Sequence, residues 1–171
     1  MVTRLIAIGL TAFSPMLSKH TIRVPTDGWF VGTPFRVVFS SRWTTGWREN
    51  VNLLDHSDRQ STCFWYGRSL KVFVNTSSID EALKRSILSQ YKKLGRASFM
   101  KDFTTPSGHA YPVVAGLSGK QPHGAKPYKF PVFGTIYIIG QGKLAGFNFF
   151  TTSLATAQHV KELVEGFQFD K

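Results

Sequence analysis

The sequence predicts an α+β fold, a mostly antiparallel central sheet flanked by helices. Short runs rich in Val and aromatic residues recur between Gly and Pro along most of the chain, the pattern of strands and turns. Two other segments repeat apolar residues at helical spacing and carry capping signals at their ends. The order that results is several strands, a helix, a strand block and a final helix, which places helices over a mostly antiparallel sheet. Fifteen Phe, five Tyr and four Trp, 14% of the chain, favour strand-rich packing with large side chains over an Ala/Leu helical bundle.

The opening residues stand apart. Arg4 followed by the apolar stretch from Leu5 to Phe13 has the charged start and short hydrophobic core of an export signal, with Ala12-Phe13-Ser14 at a cleavage-like spacing and an unfavourable Pro15 after it. Residues 1–18 are therefore expected to be a signal peptide, with an apolar N-terminal arm packed on the body as the alternative. The stretch is too short to span a bilayer. Residues 19–171 read as one domain, a length that suits a single core. An exported or periplasmic, envelope-associated protein is the expectation that follows, and a cytoplasmic one is the alternative.

Strand candidates then run Thr21 to Val24, Phe35 to Ser40, Asn50 to Leu54, Thr62 to Tyr66 and Leu70 to Asn75, punctuated by Pro25, Gly28, Pro34, Gly46 and Gly67. A helix follows. Ser77 or Ser78 is expected to cap it, Asp80 and Glu81 sit in its first turn, Lys92 and Lys93 in its last, and Gly95 stops it. Ile79, Leu83, Ile87, Tyr91 and Leu94 recur at helical spacing and are expected to dock on the sheet. Strands resume at Phe99 to Thr104, His109 to Ala115, Pro131 to Ile139 and Leu144 to Thr151, the last two joined through the tight hairpin Gly140-Gln141-Gly142-Lys143. A second helix, capped by Thr152 or Ser153, carries Ala157, Val160 and Val164 on one face and ends at Gly166, leaving Phe167 and Phe169 to close the sheet or the core.

Several of these pieces resemble the PsbP-like and Mog-like superfamily, which includes members of the DcrB and LpqN type. The resemblance rests on Pro25-Thr26-Asp27-Gly28-Trp29, on Asn50-Val51-Asn52-Leu53, on the run from Phe103 through Pro106-Ser107-Gly108 to Ala110, and on the run from Gly142 to Thr152 leading into the last helix and Gly166-Phe167. It spans most of residues 21 to 169, in short pieces, and Gly166-Phe167 stands where the family often has Ser-Phe. It implies an α/β/α sandwich used without catalysis as a binding or assembly module, with partners that differ across the family, and it transfers no functional residue.

The chemistry of the chain agrees with binding. Twenty-one Lys and Arg against ten Asp and Glu give a formal charge of +11, which favours an acidic protein, anionic lipid or nucleic acid as neighbour. The single cysteine, Cys63, forbids an internal disulfide and any multi-cysteine metal site, and its aromatic neighbours mark it as a buried small hydrophobe. Asp55-His56-Ser57-Asp58 offers metal-ligand types in one turn, the basis for a metal-dependent hydrolase as the least favoured alternative, although a solvated turn explains it better. His20, His109, His123 and His159 are scattered, and no Gly-x-Ser-x-Gly elbow identifies a nucleophile. Gly140-Gln141-Gly142 precedes a strand, so it is a hairpin and not a dinucleotide fingerprint. Gly119-Lys120 lacks the pattern of a phosphate-binding loop. No cofactor is expected.

Two surfaces are candidates for partner binding. Lys84, Arg85, Lys92, Lys93, Arg96 and Lys101 fall on the first helix and its exit with no carboxylate residue between the first and last of them. Lys120, Lys126 and Lys129 extend the basic character into the long loop from Gly116 to Pro131. The second surface is Arg42-Trp43-Thr44-Thr45-Gly46-Trp47-Arg48, read as a turn. Exposed, Arg42, Trp43, Trp47 and Arg48 have the chemistry of an interface hot spot; buried, the tryptophans are core. The expected function is a non-catalytic binding or assembly factor that holds an acidic protein partner. An anionic-ligand binder, for nucleic acid or an acidic membrane surface, is the alternative.

Overall fold

A computed structural model describes residues 18–24, 32–51, 58–94, 100–117 and 130–171, the side chains of 47–51, 58–60, 94 and 114–117 excepted. The chain is an α+β protein dominated by antiparallel strands in two sheets. The larger sheet has seven strands, the smaller three.

The small sheet is built around β2 (Phe35–Ser40), which pairs on one side with β1 (Lys19–Val24) and on the other with β10 (Phe167–Phe169). The large sheet starts with β3 (Trp43–Val51), β4 (Asp58–Tyr66) and β5 (Leu70–Ser78) as a meander. A second meander comprises β6 (Phe103–Thr105), β7 (Gly108–Leu117), β8 (Val132–Gly140) and β9 (Lys143–Thr151). Antiparallel pairing of β5 with β9 joins the two, in the order β3-β4-β5-β9-β8-β7-β6.

Alternation of side chains along the strands, interrupted by a register shift between Val113 and Ala115 in β7, divides the large sheet into an inner and an outer face. Inward residues Phe64, Leu70, Val72, Val74, Ile136, Ile138, Phe147 and Phe149 are essentially inaccessible to solvent. They meet the apolar face of the small sheet through ring contacts such as Phe39 to Phe64 at 5.6 Å and Phe147 to Phe167 at 5.1 Å. Helices α2 (Leu154–Ala157) and α3 (His159–Glu165) complete this core with Ala157, Val160, Leu163 and Val164. Helix α1 (Glu81–Leu94) sets Tyr91 edge-on against Tyr111 of β7, their centroids 5.2 Å apart, and so covers part of the outer face.

Several expectations hold at the level of elements. The β8–β9 turn places Gln141 at φ 55° and Gly142 at φ 68°, the doubly left-handed geometry that a two-residue hairpin needs. Cys63 is fully buried. Phe167 and Phe169 close the small sheet and enter the core.

Other expectations are corrected. The segment from Trp43 onward is a strand, because Trp43 and Thr45 alternate with Thr44 and Gly46 and pair with Tyr66, Phe64, Trp65 and Cys63. Gly46 is accommodated within that strand for a steric reason: a Cβ there would stand 3.0 Å from the indole of Trp65, which lies over it. Ser77 and Ser78 belong to β5, and the first helix is capped by Asp80, whose Oδ1 accepts the Leu83 amide hydrogen at 2.7 Å. Leu83 is 40% exposed, so the stripe of α1 turned toward the protein runs through Lys84, Ile87, Leu88 and Tyr91. The last helix is two segments joined at Gln158. Ser153 caps the first by accepting from the Thr156 amide. Residues 1–17, the Asp55-His56-Ser57 turn, Arg96 and Lys120 to Lys129 lie outside the described residues.

Candidate functional site

The first candidate surface is α1. Its stripe of intermediate and buried residues leaves Arg85, Ser89 and Lys92 on one outward line, with Ser86 and Lys93 beside it. Lys84 is committed locally, its Nζ lying 3.4 Å from Glu81 Oε1, and Arg85 Nε donates to the Glu81 carbonyl at 3.2 Å. Lys92 and Lys93 occupy the final turn, where the carbonyl end of the helix favours cations, and no carboxylate among the described residues pairs with either. The helix therefore presents a basic ridge on which Lys84 is paired with Glu81 and Arg85, Lys92 and Lys93 meet no carboxylate among the described residues.

The second candidate surface splits. Arg42 is exposed in the turn before β3 and donates from Nη1 to the Tyr66 hydroxyl at 3.3 Å. This hydrogen bond, helped by the charge of Glu162, holds the guanidinium still more firmly in its charged form. Tyr66 stacks on His159 with centroids 4.1 Å apart and planes 16° apart, so Arg42, Tyr66 and His159 form a polar-aromatic corner. Trp43 does not belong to that surface. It is 3% exposed and meets Tyr66 edge-on from inside, which makes it core and leaves Arg42 as the cation of this corner. Trp47 and Arg48 lie on β3 opposite Thr62 and Ser61, and their side chains are outside the described set. The corner and the α1 ridge are separate features.

A third cluster was not read from the sequence. The hairpin of β6 and β7 sets Thr104 opposite His109, and His109 Nε2 lies 2.9 Å from Asp102 Oδ2. The hydrogen bond from His109, seconded by one from Tyr91, holds the Asp102 carboxyl below its ordinary range against the opposing effect of desolvation. His109 also packs on Tyr111 at 4.4 Å. The signal was present in the turn run Thr105-Pro106-Ser107-Gly108, which brings its two flanks together. An acid and an imidazole so arranged orient one another. Among the described residues no three His, Cys, Asp or Glu converge to hold a metal ion.

The outer face of the large sheet beyond α1 has a different character. Trp65, Lys71, Phe150 and Phe133 are successive register partners on β4, β5, β9 and β8, one cross-strand row of three aromatic rings and a cation. Phe73 stands one step along β5 and touches Phe150 edge-on at 6.0 Å. Phe133 is 37% exposed and the others are half-buried.

The chain matches no family model, no curated protein and no solved structure. Among the described residues no helix is long and apolar enough to cross a membrane.

Proposed function

We propose that the protein is a non-catalytic binding or assembly factor that holds an acidic protein partner through the ridge of α1. One observation carries this reading: Arg85, Lys92 and Lys93 project from a 14-residue helix without a carboxylate counter-ion among the described residues, while Lys84 is paired with the Glu81 carboxylate. Cations already neutralised hold a helix in shape, whereas unneutralised ones add favourable long-range attraction to an acidic surface. Arg42, held by Tyr66, supplies a separate preordered donor for a larger partner.

A PsbP-like sandwich is the fold reading that accompanies this proposal. The position of α1 against Tyr111 and of α2 and α3 in the inner core supports it. An export signal in residues 1–18 would place such a factor in the periplasm or envelope.

The test is retention from native extract by the tagged chain and by a Lys92→Glu, Lys93→Glu variant at low and moderate salt, read by mass spectrometry. An acidic protein retained in stoichiometric amount by the first and lost by the second is the expected result. Identical retention by both chains removes the ridge from the proposal.

A further inference from the structure

We infer that the aromatic half of the outer sheet face is a binding site for single-stranded nucleic acid, a site distinct from the α1 ridge and independent of the reading given to it. Four adjacent strands place Trp65, Lys71, Phe150 and Phe133 in one row, with Phe73 against Phe150 in the next. Neighbouring strands are about 4.8 Å apart, so the row runs roughly 14 Å from Trp65 to Phe133. That length of sheet is enough for the stacking of two or three unpaired bases.

The composition of the row selects this ligand. Aromatic rings offer flat faces that every base can stack on, and a cation set among them answers the phosphate that each base brings. Lys71 occupies that position, between Trp65 and Phe150, with its Nζ 5.4 Å from the Phe130 ring centroid. No carboxylate stands among these row positions, and the chain carries a formal charge of +11. An aliphatic patch would suit a protein partner or acyl chains and would gain nothing from a central lysine. The lining is therefore complementary to a polyanion that also carries planar apolar groups. Two structural features keep the platform ordered. Gly46 gives the Trp65 indole room to lie across β3, and Phe73 buttresses Phe150 edge-on.

The test is fluorescence anisotropy of a labelled twelve-nucleotide oligothymidylate with the full chain over a range of salt concentrations, with a heparin fragment as a probe of charge alone. Wild type is expected to bind with an affinity that falls as salt rises. Phe133→Ser, at an exposed position, is expected to weaken binding about tenfold or more while melting like wild type, and Phe133→Tyr to restore it. Lys71→Glu is expected to weaken it as well and to reduce the salt dependence. Absence of oligonucleotide binding by wild type overturns the inference. So does a Phe133→Ser variant that binds oligothymidylate as wild type does, or heparin competing equally against both chains, since either result assigns the attraction to charge alone.

Discussion

The Ser107 hydroxyl accepts the Phe169 amide hydrogen at 3.0 Å and lies 3.3 Å from the Phe167 carbonyl, to which it donates. A turn of the large sheet thereby satisfies the edge of β10 that faces away from β2. Ser107 is 3% exposed, so water does not substitute for it. Ser107→Ala is expected to leave two backbone groups short of a partner, at a cost of about 1–3 kcal/mol, or roughly 2–12 °C in Tm for a chain of this size. Thermal melts check this, and Ser107→Cys does not rescue, because a thiol is a weak donor and acceptor.

Gly108 and Gly67 both have positive φ, yet they predict opposite outcomes. At φ 145°, a Cβ on Gly108 would collide with the backbone carbonyl of Ile139, while at φ 56° one on Gly67 meets nothing within 4 Å. Gly108→Ala is expected to add conformational strain of about 1–3 kcal/mol to overpacking of similar size. Gly67→Asn is expected to fall within about 0.5 kcal/mol of wild type, since Asn tolerates the left-handed region. Equal melting temperatures for the two variants would contradict this account.

Asp102 predicts an acid-side effect. Its carboxyl is lowered from 3.8 chiefly by the hydrogen bond from His109, so its contribution to stability is present above the unfolded value and is lost as pH falls through the folded one. His109→Ala should move the Asp102 titration upward, toward the ordinary value, in a carboxyl-detected NMR series. The stability difference between wild type and Asp102→Asn should shrink as the solution is acidified below that range. An Asp102 titration unmoved by loss of His109 would remove the pair as its cause.

Tyr137 predicts the alkaline counterpart. Burial raises its phenol above the ordinary 10.0, so its contribution is intact below the unfolded value and disappears as pH rises through the folded one. Ultraviolet titration should show a tyrosine that ionises late, and Tyr137→Phe should remove that component while making alkaline unfolding less steep. Loss of an early component instead would assign the late phenol to another tyrosine.

Local chemistry made parts of the fold legible. Gly140 to Lys143 specified its hairpin because only a left-handed pair of residues closes two twisted strands so tightly, and Lys92 with Lys93 marked the end of α1. Partnership across the chain was not legible. Thr44-Thr45-Gly46 reads as a turn by composition, and only the indole of Trp65, brought alongside by β4, explains a glycine within a strand. Helical spacing places Leu83 with the buried residues of α1, yet it is exposed, because spacing gives a repeat without saying where the sheet lies. For the candidate sites, helix periodicity showed which cations share α1. It did not show that Trp43 turns inward, nor that four strands align Trp65 with Phe133, because both follow from register.

The central place of β2 in the small sheet bears on the order in which the protein is made. Residues 35–40 leave the ribosome long before residues 167–169, so during synthesis β2 can have β1 on one side and nothing native on the other. Its inward Phe35 and Val37, wholly hidden in the finished molecule, stay without Phe167 and Phe169 through that interval. Nascent chains held side by side on one message would thus be most prone to join strand to strand before β10 emerges, and a holdase acting on this protein would have its work at that stage.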